Sequence, residues 1–281
     1  MERWILFAMI SGIFVSLREL YIKKYIKQSP EIISFTTRFY GSMVFIIIAF
    51  RGNIKITDFP VFIGITLLTV IVTAVTTLIR LRLIKTEDLS LTTPWLGCIP
   101  IFVVLWSMLL YRELPDTLAL IGILLVCIGA FTINLQGGRI RMNRASLWML
   151  FITILLGLTT SVDKIAIGAS SAITYSLIWT ISSAILMYGV AKTKTKRVIF
   201  FDKHLIIQAV LWVGEFLFQM LAIQNINHIS SGQTYVKTLT MLNIVITTVF
   251  SSFIFRENDR NKRILSAVLI FIGAIIVVLY K

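Results

Sequence analysis

"LLYREL" (Leu109–Leu114) and "FIFREN" (Phe253–Asn258) each end a long apolar run on an Arg-Glu pair, and the two pairs lie 144 residues apart. The same spacing relates Asp58 to Asp202, and Gly129 in "CIGAF" to Gly273 in "FIGAI". "GIFVSLRE" (Gly12–Glu19) parallels "GLTTSVDK" (Gly157–Lys164), one residue out of phase. A fixed long period marks an internal duplication. It divides the chain into residues 1–138 and 139–281.

The runs identify the surroundings. Of 281 residues, 57% are hydrophobic and 14% charged, with a mean hydropathy of +0.90, where a soluble domain carries about a quarter charged residues. The charge sits in short clusters between apolar runs of roughly 20 residues, the length a helix needs to cross about 30 Å of hydrocarbon. Ten such runs predict transmembrane helices at 4–22, 32–50, 60–81, 91–111, 117–136, 146–167, 172–191, 204–224, 232–255 and 263–280. The expected fold is an all-α integral membrane protein with no room for a soluble domain. The first run contains Arg18 and Glu19 and has a later counterpart, so it reads as a span and not as a signal peptide.

An odd number of spans per half requires the second copy to run through the bilayer in the opposite direction, so the ten helices are expected to form two inverted five-helix repeats. Linker charge agrees. Seventeen of the 27 Lys and Arg residues fall in odd-numbered linkers and five in even-numbered linkers and termini. By the positive-inside rule the odd linkers are cytoplasmic and both termini lie outside. Such basic linkers explain the net charge of +14 without a nucleic-acid partner. Cys98 and Cys127 lie inside apolar runs and show no disulfide or zinc spacing; no metal or cofactor is expected.

With its ten spans, five-helix repeat and "RELPDTLALIGILLVCIGAF" (Arg112–Phe131), the chain resembles the EamA-like family of the drug/metabolite transporter superfamily. "SPEIISFTTRFYGS" (Ser29–Ser42, with Arg38) and "DLSLTTP" (Asp88–Pro94) carry the likeness further. The second copy departs from it: "RENDRNKRILS" (Arg256–Ser266) is strongly basic, and no proline in the ninth span matches Pro94 or Pro100. The resemblance implies a multi-pass protein of a prokaryotic plasma membrane, monomeric or homodimeric, with a central cavity between repeats for a small organic solute or a lipid-linked headgroup. It also implies cytoplasmic termini, opposite to the linker charges.

Charge at membrane depth costs a few kcal/mol or more, so each embedded ionisable group is a candidate for function. They are Arg18, Glu19, Arg38, Arg80, Asp163, Lys164, Glu215 and Lys237, five positive against three negative, a balance that suits an anionic cargo. Most lie near span ends, where snorkelling lowers the cost. Glu215 stands mid-span, and Gln208, Trp212, Glu215 and Gln219 recur at helical spacing on one face that cannot meet lipid. Glu215 reads either as a substrate or proton-coupling carboxylate, or as a structural ion pair with Lys237 or Arg38. Gln233, Lys237, Thr240, Thr247 and Ser251 make a second polar face. Thr66, Thr69, Thr73, Thr77 and Arg80 make a third, where packing between helices is the better reading.

Pro94, Gly97 and Pro100 interrupt the fourth span, and interior Pro100 is expected to kink it; such spans mark a transporter's site or gate, or a mere packing kink. Trp95 suits an interfacial belt, while Tyr235 suits either a belt or a stacking surface. Gly12-x-x-x-Ser16 and Gly157-x-x-x-Ser161 read as close helix contacts. The neighbours Arg18/Glu19 and Asp163/Lys164 read as partly self-compensating, and the Arg-Glu steps as groups that cap and orient helix ends.

The functional expectation is a secondary transporter working by alternating access. The alternative is a flippase for an anionic polyprenyl-phosphate-linked or other lipid cargo. A membrane-embedded transferase is disfavoured, because the chain has two histidines and none of the motifs that assemble a nucleophile or acid–base cluster.

Overall fold

The computed structural model describes residues 2–50, 54–86, 95–133, 135–136, 139–140, 144–195, 201–255 and 260–281. Pro94, with the rest of "DLSLTTP", and the second Arg-Glu pair at Arg256–Glu257 lie outside them. The described chain is helical apart from one antiparallel pair of two-residue strands, Leu135–Gln136 with Arg139–Ile140.

Six helices have the length and apolar composition to cross a membrane: α1 (Arg3–Tyr25), α2 (Pro30–Ala49), α3 (Phe59–Thr86), α6 (Arg144–Gly168), α7 (Ala172–Lys194) and α8 (Lys203–Ile226). The remaining apolar runs give α4 (Ile99–Tyr111), α5 (Thr117–Ile133), α9 (Gly232–Thr240), α10 (Leu242–Phe255) and α11 (Arg260–Leu279). The multi-pass reading therefore holds, but two of the expected spans are not continuous helices. The fourth is helical at 95–96, breaks at Gly97–Cys98 and resumes as a 13-residue helix, about 20 Å long at 1.5 Å per residue. The ninth is divided at Met241.

Local chemistry accounts for several ends. The 144-spaced aspartates are both caps: Asp58 Oδ1 accepts the Val61 amide (3.2 Å) and Asp202 Oδ1 the His204 amide (2.8 Å), each satisfying a donor that the first helical turn leaves free. Ser29 and Ser171 cap α2 and α7 in the same way. The helix break expected from Pro100 falls just before it. The chain turns at Gly97–Cys98 and α4 starts at Ile99, which puts Pro100 in the first turn, where its missing N–H is no loss. At both breaks the backbone closes i→i+3 bonds, Ile101 to Cys98 (3.1 Å) and Ile244 to Met241 (2.9 Å).

The Arg-Glu step at Leu109–Leu114 now has a physical meaning. Arg112 adopts the left-handed conformation (φ 56°) that ends α4, uncommon without glycine. Glu113 then pairs with Lys164 of α6 (2.8 Å) and accepts the backbone amide of Ser231 (2.8 Å), the residue that opens α9. Lys164 is therefore engaged by Glu113 and not by its neighbour Asp163.

Helices pack in a definite set of pairs: α1 with α8, α2 with α7 and α8, α3 with α6 and α7, α4 with α6, α1 with α9 and α10, and α5 with α11. On α1 the arrangement inverts that of a soluble helix. Leu6, Met9, Ile13 and Leu17 point outward, while Ser11, Ser16 and Glu19 are buried. Such a molecule needs hydrocarbon around it. Trp95 is buried against Phe131 (ring centroids 5.0 Å, 82°) and is not the interfacial residue the sequence suggested. The Gly-x-x-x-Ser pairs are close contacts as read. Ser16 Oγ donates to the Asn243 carbonyl (3.0 Å), and a Cβ on Gly157 would meet Phe102 Cβ at 2.6 Å.

The tightest crossing joins α5 to α11. A Cβ on Gly273 would lie 2.5 Å from the Gly122 carbonyl oxygen, and one on Gly122 2.7 Å from that of Gly273. Backbone cannot step aside as a side chain does, so Gly122→Ala or Gly273→Ala is expected to cost about 1–3 kcal/mol. The purified variant should unfold at a lower temperature in a given detergent. Gly64→Ala, where no neighbour lies within 4 Å, should leave the unfolding temperature unchanged or raise it.

Candidate functional site

Polar side chains from α1, α2, α3, α6, α8 and α9 converge on one cavity of ≈ 150 Å³, ample beside the roughly 10–15 Å³ that one water molecule requires. The expected α8 stripe, Gln208, Trp212, Glu215 and Gln219, lies entirely on its wall. Arg18, Glu19, Arg38, Arg80, Asp163 and Lys237 join it, as do Thr73 and Thr77. Helical periodicity was enough to find this face.

Other candidates lie elsewhere. Gln233 reaches α4 and donates to Ser107 Oγ (2.8 Å). Tyr235 is 2% exposed within the apolar core. Gly97 and Pro100 belong to the turn that starts α4, where the Gly97 carbonyl accepts from Cys127 Sγ (3.3 Å). Lys164 is outside the cavity with Glu113. The cavity thus carries four cations and three anions, one positive charge fewer in excess than the sequence count implied.

The pairing differs from the sequence reading in a consistent way. Arg18 does not compensate Glu19, and Glu215 pairs with neither Lys237 nor Arg38. Arg18 Nε lies 2.9 Å from Glu215 Oε2, and Arg80 pairs with Glu19. Consecutive residues on a helix project about 100° apart and cannot face each other, so the two neighbours on α1 turn to different helices. Arg18 reaches α8 and Glu19 reaches α3. Asp163 accepts the Tyr175 hydroxyl, which also meets Thr69 Oγ1 at 3.0 Å, linking α6, α7 and α3.

Two cations remain. Arg38 is 2% exposed and, among the described residues, bonded to neutral groups: Nε to Ser183 Oγ (2.5 Å), Nη1 to Ser34 Oγ (2.6 Å) and Nη2 to Thr77 Oγ1 (3.2 Å). Among the described residues neither Arg38 nor Lys237 has a carboxylate within ion-pair distance. Lys237 stands one turn before the break at Met241, on the cavity wall.

On the aromatic side of the cavity the sequence pointed to Trp212 alone and offered no signal for Trp179 or Phe216. Trp179 of α7 lies under Arg38 (5.6 Å from Cζ to the ring centroid). It continues into Trp212 and Phe216 of α8, with centroids 4.8–6.0 Å apart. These residues come from helices with no common period. Thr37 was also missed; it bonds Gln208 across α2 and α8 (2.6 Å).

Glu19 is 1% exposed, so removing its cation alone leaves a buried charge unpaired, at about 3–5 kcal/mol. Arg80→Gln is expected to destabilise the protein strongly, and Glu19→Gln combined with Arg80→Gln to recover much of the loss. Additive losses across this double-mutant cycle, measured by denaturation, would contradict the pairing.

Comparisons with known proteins bear on the architecture. A solved structure titled "Crystal structure of protein" superposes with a TM-score of 0.74 over 99% of this chain and 98% of its own, at 12% identity. At that identity the likeness concerns the fold alone. No curated protein matches. Residues 2–135, just under half of the chain, match the EamA-like transporter family, so the first half is similar to that family, and six helices able to cross a membrane make the chain a multi-pass membrane protein.

Proposed function

We propose that this protein is a secondary transporter of a small organic solute in a prokaryotic plasma membrane, and that residues 1–138 and 139–281 are inverted five-helix repeats that rock about the charged cavity. The observation that carries the proposal is the cavity itself. Seven ionisable side chains share ≈ 150 Å³ inside a helical bundle that turns its apolar side chains outward. Charge is costly there unless it serves a path for polar cargo.

Three features support the inverted arrangement. Numbering the apolar runs one to ten, the packed pairs are 1–8, 3–6, 2–7, 5–10, 4–6 and 1–9, with 2–8 and 3–7. Exchanging each run with the one five places on returns the same set, as a two-fold axis between the halves would. The breaks at Gly97 and Met241 are themselves 144 residues apart. Linkers also sort by parity. Gln28 bonds Asp202 and Lys85 bonds the Gln28 carbonyl, joining the first, third and seventh linkers. Thr57 bonds the Ala169 carbonyl (2.8 Å) and Glu113 bonds Ser231, joining the second with the sixth and the fourth with the eighth.

Rocking requires contacts that can exchange. The pairs Arg18–Glu215 and Glu19–Arg80 tie α1 to α8 and to α3, and Lys237 faces the same cavity without an ion pair. A substrate or proton that takes up one member of a pair releases its partner, which biases the packing of the helices that carry it. Glu215 and Asp163 are the carboxylates proposed to carry a proton. The cavity's excess positive charge favours a second reading, a flippase for an anionic lipid-linked headgroup.

In proteoliposomes, Glu215→Gln is expected to abolish solute accumulation driven by a pH gradient while equilibrative exchange persists. Unchanged gradient-driven uptake in that variant would remove Glu215 as the coupling site. Movement of polyprenyl phosphates, with no soluble solute transported, would replace the leading reading by the flippase.

A further inference from the structure

We infer that the cavity takes a monoanionic organic acid with a flat ring, its carboxylate on Arg38 and its ring along Trp179, Trp212 and Phe216. The inference rests on the proposed function only in taking the cavity to be a solute site.

Charge accounting comes first. Arg18 with Glu215, and Arg80 with Glu19, cancel as contacting pairs. Arg38 and Lys237 remain against Asp163, an excess of one positive charge. A guanidinium almost wholly removed from water and bonded to neutral oxygens alone is left without a counter-ion, an expensive state. A single carboxylate supplies the missing charge, whereas a doubly charged phosphate monoester would exceed it.

Donor geometry comes next. A guanidinium has five N–H donors. Arg38 spends one on Ser183, at most two on Ser34 and one on Thr77, so at least one on Nη2 is left. Thr77 and Ser34, which hold Nη2 and Nη1, are both on the cavity wall. The hydroxyls fix the plane of the guanidinium, and the remaining donor is available to an anion.

The aromatic side completes the site. Trp212 and Phe216 are near parallel (13°, 5.0 Å), and Trp179 lies 4.8 Å from Phe216 and beneath Arg38. All three line the cavity as a stack of rings, which a further planar ring extends better than a branched aliphatic chain does. Gly41 sets that face. A Cβ there would meet Trp212 Cζ3 at 2.8 Å, so the indole occupies space that any larger residue would take from it.

The test is equilibrium binding of indole-3-carboxylate, indole-3-carboxamide, acetate, phenyl phosphate and indole-3-methylamine to the purified full chain in nanodiscs. The aromatic acid is expected to bind at least tenfold more tightly than its amide and than acetate. Arg38→Gln should bring acid and amide to the same affinity, and Arg38→Lys should keep part of the difference. Gly41→Ala should weaken both indoles while the acid-to-amide ratio stays the same. Unfolding temperatures identify the variants that fold. Equal binding of acid and amide, or a tenfold preference that survives Arg38→Gln, overturns the assignment. Tighter binding of the amine or the phosphate overturns it while leaving a solute site in place. If no compound binds and proteoliposomes take up none, the transport reading fails with it.

Discussion

A charged side chain in the hydrocarbon layer cannot turn to water, and Arg18, Glu19, Arg80 and Glu215 find their partners across helices. That requirement organises the cavity. Arg18 and Glu19 are neighbours in sequence, yet the helix projects them to different sides, so each must be met by a different helix. Glu215 of α8 meets one and Arg80 of α3 meets the other. One turn of α1 thereby determines where two other helices stand, and the space between the two pairs is the cavity.

The same solvent explains the other contacts. Lipid gives helices no hydrophobic reason to associate, so close packing and hydrogen bonds must hold them. Gly122 and Gly273 let α5 and α11 cross backbone to backbone. Serine and threonine hydroxyls bond carbonyls on the next helix, as Ser11 does to Glu215 (2.9 Å) and Ser161 to Val103 (3.3 Å). Where the backbone is interrupted, at Gly97–Cys98 and at Met241, it is covered by protein. Met241 and Leu96 belong to one apolar cluster with Ile99 and Met149. Lys237 reaches the cavity from the turn beside that second break. An irregular backbone and a cation with no ion pair among the described residues therefore occur together.

Much of this was legible from residue types and spacing. Apolar runs named the bilayer as the solvent, because nothing else tolerates so little charge. The α8 stripe was legible because one helix carries all four of its members and a helix has a fixed period. The Asp58 and Asp202 caps repeat for the same reason, since a capping carboxylate acts on its own first turn. Proline was read in part: the fourth span does break beside Pro100. Pro100 looks interior when the apolar run is taken as one helix, and only the turn at Gly97–Cys98 reveals it as a first-turn residue.

Sequence alone thus determined that the chain lives in a membrane, that Arg-Glu, Asp and Gly landmarks recur 144 residues apart, and which helix faces are too polar for lipid. These are properties of single helices, set by hydropathy and periodicity. The tertiary structure decided which charges pair, that Lys164 serves a helix end while Arg38 lies on aromatic rings, and that Trp179 belongs to the cavity at all. Those outcomes depend on which helices become neighbours, and sequence distance carries no record of it: Arg38 and Trp179 stand 141 residues apart and meet only because α2 packs on α7.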